Sequence, residues 1–151
     1  MADENALEFV FIGKKQEIAQ RRKVKCSVMG RVIAVFFVND GFHALDHYCY
    51  HAGGPLSLGD IEEVEGKACI ICPYHKYKIV LETGEGLYYS FNPKDFSKPP
   101  KLCSKGVKQR THHVRVSGND VYVALSDTSQ SRDSDYYSSD AFKATKKNIL
   151  K

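Results

Sequence analysis

"DHYCYHAGGPLSLGD", residues 46–60, sets Cys49 and His51 one residue apart and follows them with Gly53, Gly54 and Pro55. A second stretch, "CIICPYHKYK" (69–78), offers a similar set: Cys72, Pro73, Tyr74, His75. Each half brings one soft thiolate and one imidazole from a short turn. Twenty residues separate His51 from Cys72, enough for a hairpin that brings the two turns side by side. Pro and Gly around both sites restrict the backbone, and a metal site needs donors held in place before the metal arrives.

The flanks read as strands. "EFVFIG" (8–13), "VKCSV" (24–28), "VIAVFFV" (32–38), "FHAL" (42–45), "ACII" (68–71), "YKIVLE" (77–82), "GLYYSF" (86–91), "HHVRVS" (112–117) and "VYVAL" (121–125) are short, branched or aromatic, and bounded by turn residues. Asn39-Asp40-Gly41 and Gly118-Asn119-Asp120 mark two hairpins, since these residues tolerate positive φ. The expected fold class is all-β, an antiparallel sandwich or barrel. Residues 17–23 are expected to form one helical turn or a polar connection. Residues 91–106 carry three prolines and read as a long ordered loop. After Leu125 the composition turns to Ser and Asp. Residues 126–140 are expected to be disordered, or pinned only where Tyr136 and Tyr137 dock. Residues 141–151 are expected to form a short terminal helix capped by Asp140.

The totals exclude several classes. The chain has 151 residues, so one domain is expected. A formal charge of +4 is too weak to indicate nucleic acid. No apolar run approaches the roughly 20 residues of a membrane-spanning helix. The N-terminus is acidic and polar, unlike a secretory or mitochondrial leader, so a cytoplasmic location is expected if Met1 is the natural start. Five cysteines, an odd number, argue against a disulfide scaffold and leave thiols for a metal.

A common zinc finger places both cysteines before both histidines. Here each half brings Cys, then His. Two sulfide-bridged irons accept that order, with the cysteines on one iron and the histidines on the other. Zinc accepts the same four donors, so the metal stays open on the residues alone. "CIIC" (69–72) lies in a strand, not at a helix start, so Cys69 is expected in the core rather than in a redox pair. Cys26 and Cys103 read as packing thiols. His43, His47, His112 and His113 read as donors that support a metal ligand or, more commonly, as ordinary strand or surface positions. Tyr50, Tyr74 and Tyr77 read as shields of the centre or as a plain aromatic edge.

"CYH" (49–51) and "CPYH" (72–75) resemble the paired boxes C-x-H and C-x-x-H of Rieske iron–sulfur domains. The similarity extends to "VIAVFFVNDGFHALDHYCYH" (32–51), "HAGGPLSLGDIE" (51–62), "KIVLETGEG" (78–86) and "HHVRVSGNDVYVAL" (112–125). The chain looks most like the family's small soluble vertebrate members. The resemblance implies a Rieske domain over residues 1–125, with a cluster-binding subdomain at roughly 46–80 inserted into a larger antiparallel sheet, and a polar tail over 126–151. It implies one 2Fe-2S cluster per chain, held by Cys49 and Cys72 on one iron and His51 and His75 on the other. The Pro-bearing loop near 92–101 would cover it.

The resemblance also implies a soluble one-electron carrier working between a reductase and an acceptor protein. A redox or iron sensor, or a structural zinc module, are the alternatives. A Rieske oxygenase needs a second domain with its own iron site, and the chain beyond Leu125 is too short for one. Respiratory members carry a disulfide at positions matching Gly54 and Tyr74, which cannot form here. They also carry a serine after the second box that donates to a cluster sulfur. Lys76, Tyr77 and Lys78 hold no such serine, which implies a potential toward the low end of the Rieske range. Lys76 stands where many ferredoxin-type members have glycine, and the spacing between boxes is a few residues longer than usual. The lysines at 94, 98, 101, 105 and 108 are expected either to steer an acidic partner or to solvate a loop.

Overall fold

The computed structural model describes residues 7–143. Two antiparallel sheets dominate it. The first contains β1 (Val10–Lys14), β2 (Lys23–Val28), β3 (Arg31–Val38), β4 (Gly41–Asp46), β10 (Thr111–Ser117) and β11 (Asp120–Ala124), in the order β1-β11-β10-β4-β3-β2. The second is a meander of β5 (Asp60–Val64), β6 (Lys67–Ile71), β7 (Lys78–Val80), β8 (Glu85–Ser90) and β9 (Lys101–Val107). The whole meander is inserted between β4 and β10. Those two strands pair directly, Leu45 with Thr111 and Ala44 with His112, so the insertion leaves and returns at neighbouring points. Residues 46–80 form its first part.

β3 shows why the sheets stack. Its residues alternate between two cores, as the period-2 geometry of a strand requires. Ile33 and Val35 pack with Ile18, Val28, Val121 and Val123. Ala34, Phe36 and Val38 pack with Leu45, Leu56, Ile70, Ile79 and Leu81, between the sheets. Both sides of β3 are therefore covered, and burying each large side chain contributes about 1.5–3 kcal/mol.

The first expected hairpin turn forms with Asn39 and Asp40 both at positive φ, 51° and 61°. In the second, Gly118 takes φ 59° between the paired Ser117 and Asp120. Helix α1 covers Lys15–Arg21, two residues earlier than expected, buries Ile18 and ends at Arg22 in the left-handed region.

Two strands had no sequence expectation. β5, "DIEEV", is an edge strand with charged residues at three of its four exposed or half-exposed positions masking its pattern. β9, "KLCSKGV", is the opposite edge, with only Leu102 and Cys103 half-buried; it occupies the end of what reads in sequence as a loop.

The segment after Leu125 differs from the expected disorder. A 3-10 helix over Asp133–Ser138 packs on the domain with Ser134 buried. A further helix begins at Asp140, and its cap is Ser139, whose Oγ accepts the Phe142 amide at 3.2 Å; Asp140 is not the cap. The expected continuation to residue 151 lies outside the described residues.

A buried polar network ties this segment to the first sheet. The Asp46 carboxylate accepts two bonds from Arg31, at 2.7 and 2.6 Å, one from Ser134 Oγ at 2.6 Å, and one from His112 Nε2 at 2.8 Å. His112 Nδ1 accepts the Ser126 amide at 3.1 Å, which puts the ring proton on Nε2, facing Asp46. Asp135 bridges Arg31 (2.6 Å) and Arg110 (2.7 and 2.9 Å). His112 is therefore a buried anchor and not the ordinary strand position expected from the sequence.

Burial alone would raise the Asp46 carboxyl, but the bonds from His112 and Arg31 hold it below the usual range. Asp135 is also held low, by Arg110 and the Arg132 amide against its own desolvation. Burial holds His112 below its usual value. All three groups bind protons more readily in the unfolded chain, so stability rises with pH across their windows. The urea midpoint should hold above about pH 6.5, decline as His112 protonates on unfolding, and drop steeply below about pH 4 as the carboxylates protonate. Asp46→Ala, which leaves Arg31 with Asp135 alone and takes the acceptor from His112 and Ser134, should cost about 3–5 kcal/mol in urea unfolding at pH 7.

Candidate metal centre

Two loops meet at one end of the second sheet. In the first, the Cys49 amide donates to Gly54 O and the Gly53 amide to Cys49 O, both at 2.8 Å. The Leu56 amide donates to His47 O at 2.9 Å, and Tyr48 bridges Pro55. In the second, the Cys72 amide donates to Tyr77 O at 2.8 Å across a turn in which His75 and Lys76 take φ 65° and 60°. Left-handed backbone costs a non-glycine residue about 1–2 kcal/mol, and His75 and Lys76 both bear that cost.

Both cysteines are fully buried and belong to the same apolar cluster. Both histidines are exposed, with ring centroids 5.3 Å apart and planes at 83°. The four residues thus come together as a buried sulfur pair and an exposed imidazole pair. The hydrogen bond from Cys49, aided by the Tyr74 amide at 3.4 Å, pulls the Cys72 thiol down to about 7. Cys49 keeps the shared proton and is pushed up.

Gly54 makes the approach feasible. A Cβ there would lie 2.5 Å from Cys72 Sγ and 3.2 Å from Tyr74 Cβ. Gly54 and Tyr74 therefore face each other. Tyr77 stacks on the His51 ring at 3.8 Å and 14°, and Tyr50 meets Tyr77 edge-on at 6.0 Å. Tyr77 is thus a direct support of His51, while Tyr74 is half exposed. Lys105 Nζ from β9 lies 4.3 Å from the Tyr77 centroid. The 91–100 loop is largely exposed, and its Asn92 and Asp95 side chains accept from its own Lys94 and Ser97 amides.

The other thiols stand apart. Cys69 is a core residue of the second sheet, and Cys26 packs against the first core. Burial pushes both up to about 11, which keeps them protonated. Cys103 is half-buried on β9. His47 is buried beside the first loop, and His113 is exposed.

Gln109 is the positioning residue the sequence does not flag. Fully buried between β9 and β10, it donates through Nε2 to Asp46 O and Tyr48 O, both at 2.8 Å. Its Oε1 accepts the Tyr50 amide at 2.9 Å. One side chain thus fixes the backbone on both sides of Cys49. It sits in "VKQRT" with no motif around it, and only its surroundings disclose its role.

Comparison with known proteins gives the family. A sequence model described as "Soluble Rieske-type ferredoxin" matches residues 10–128. The chain belongs to the soluble Rieske-type ferredoxin family. A human Rieske domain-containing protein is 49% identical over 137 residues, 91% of this chain and 87% of that one. The ferredoxin subunit of 3-phenylpropionate/cinnamic acid dioxygenase from Escherichia coli is 28% identical over 95 residues, 62% of this chain and 73% of its own. The ferredoxin of carbazole 1,9a-dioxygenase from Nocardioides aromaticivorans superposes with a TM-score of 0.58 at 20% identity, covering 78% of this chain and 98% of its own, a likeness of fold.

A Rieske-type family implies a 2Fe-2S cluster, and the donor set here fits one. The donors arrive as two pairs, one thiol and one imidazole from each loop. Gln109→Ala should raise the hydrogen-exchange rate of the Tyr50 amide and lower stability by about 1–3 kcal/mol, because it leaves buried backbone groups unpaired.

Proposed function

We propose that this Rieske ferredoxin is a one-electron carrier, with Cys49 and Cys72 holding one iron of a 2Fe-2S cluster and His51 and His75 the other. The observation that carries this reading is the segregation of the donors: two sulfurs fully buried in one apolar cluster, two imidazoles exposed with ring centroids 5.3 Å apart. A single tetrahedral zinc would draw all four around one point, whereas two irons accept them pairwise. Such a cluster, when bound, supplies a one-electron couple at a potential set by its ligands and by hydrogen bonds to its sulfurs.

The chain's own residues do the rest. Leu56, Ile70 and Ile79 pack the core around the cysteines and keep water from the sulfurs. The exposed imidazoles form the point of closest approach for a protein partner. Tyr77 holds the His51 ring by stacking, and Gln109 fixes the backbone that carries Cys49. The Tyr74 amide donates to Cys72 Sγ. No serine follows His75, so the sulfurs have fewer donors than in respiratory members.

The partners on this reading are a reductase and an acceptor protein. Lys94, Lys98, Lys101 and Lys105 are exposed on the β8–β9 side and favour acidic surfaces. No helix among the described residues is long and apolar enough to cross a membrane. The unpaired cysteines suit a reducing compartment, and on that ground we assign the protein to the cytoplasm.

The deciding experiment is electron paramagnetic resonance on the dithionite-reduced protein. The expected result is a Rieske signal with nitrogen couplings from two histidines, and a midpoint in the lower part of the roughly −150 to +300 mV range. Colourless protein carrying one zinc per chain refutes the reading. Gly54→Ala should purify without visible absorbance, because the added methyl displaces Cys72. Reversing Lys94, Lys98 and Lys101 to Glu should slow reduction by an acidic reductase and flatten its salt dependence, as read by stopped-flow absorbance.

A further inference from the structure

The segment 132–142 lies beyond the residues that match the family, yet it touches the first ligand loop at its root and at its tip. At the root, Ser134 Oγ donates to Asp46, three residues before Cys49, and accepts the Arg110 amide at 2.9 Å. Asp135 joins Arg31 and Arg110 beside it. At the tip, the Tyr137 hydroxyl donates to the backbone oxygen of His51 at 3.2 Å. The Tyr137 ring closes under Gly53, where a Cβ would lie 2.8 Å from Cε1. Phe142 backs the Tyr137 ring at 5.0 Å and reaches Tyr48 at 6.1 Å, so the tyrosine cannot swing away freely.

We infer that Tyr137 is a positioning residue of the metal centre: the C-terminal segment clamps the loop that carries His51 and sets how readily that ligand leaves. The inference rests on the cluster reading above. Its physical content is a difference between the two imidazoles. The His75 loop is closed by its own turn, from the Cys72 amide to Tyr77 O. The His51 loop borrows part of its closure from a residue 86 positions away. Its ring is steadied by Tyr77, but its backbone oxygen and Gly53 are steadied by Tyr137. Loosening Tyr137 should therefore disturb one histidine and spare the other.

The test uses the full chain as purified, with Tyr137→Ala and Tyr137→Phe. Loss of visible absorbance in excess iron chelator reports ligand release, and pulsed electron paramagnetic resonance of the reduced protein reports the two histidine nitrogen couplings separately. Tyr137→Ala should lose absorbance about 10-fold faster, as removal of a group supporting a ligand does. It should shift one histidine coupling, leave the other unchanged, and keep the urea midpoint. Tyr137→Phe retains the ring against Gly53 and should accelerate loss by about fivefold, the worth of one hydrogen bond. Loss of absorbance at the wild-type rate in Tyr137→Ala overturns the inference. Equal change in both couplings, or no change in either, also overturns it. A wild-type protein without histidine couplings defeats the cluster reading itself, a result distinct from these.

Discussion

The Asp46 carboxylate, buried against Arg31, His112 and Ser134, is the contact on which the arrangement depends. It stands at the last residue of β4, where the chain leaves one sheet for the other. Four donors fix its orientation, and with it the direction in which the Cys49 loop departs. The Asp46 amide donates to Arg110 O at 2.9 Å, so the exit and the return of the insertion are bonded to each other. A buried ion pair adds little net stability against a well-packed apolar alternative, because desolvation offsets much of the attraction. Its value here is directional: only one arrangement satisfies the carboxylate, the guanidinium groups and the imidazole together.

The centre inherits its asymmetry from that frame. Cys49 and Cys72 project into the core between the sheets, where Leu56 and Ile70 enclose them. His51 and His75 lie past the turns and face outward. Backbone strain collects at the same place, with His75 and Lys76 both at positive φ. Strain of this kind persists where surrounding contacts over-determine it. Here those contacts are the short amide bonds that close each loop and the tyrosines that flank them.

Local pattern made much of this legible. Branched and aromatic runs marked nine strands, because each buries at least one face and so alternates or runs apolar. Asn39-Asp40 and Gly118 marked two turns through the backbone conformations they tolerate. The boxes at 49–51 and 72–75 marked the proposed donors, since Cys and His at that spacing have few other uses. β5 and β9 escaped notice because edge strands pair on one side only and bear charges that break the alternation. The segment after Leu125 escaped too. Its serines and aspartates look solvated until Arg31 and Arg110 supply partners 104 and 25 residues away.

By itself, the sequence determined nine of the strands, the hairpin turns, the two Cys–His boxes and the family, since each is written in residues close together along the chain. Tertiary structure alone decided that the sulfurs are buried and the imidazoles exposed, that Gln109 holds the backbone around Cys49, and that Asp135 and Tyr137 belong with the first loop. Those facts depend on partners 59 to 104 positions apart, and a hydrogen bond across such a distance leaves no periodic trace in the chain that makes it.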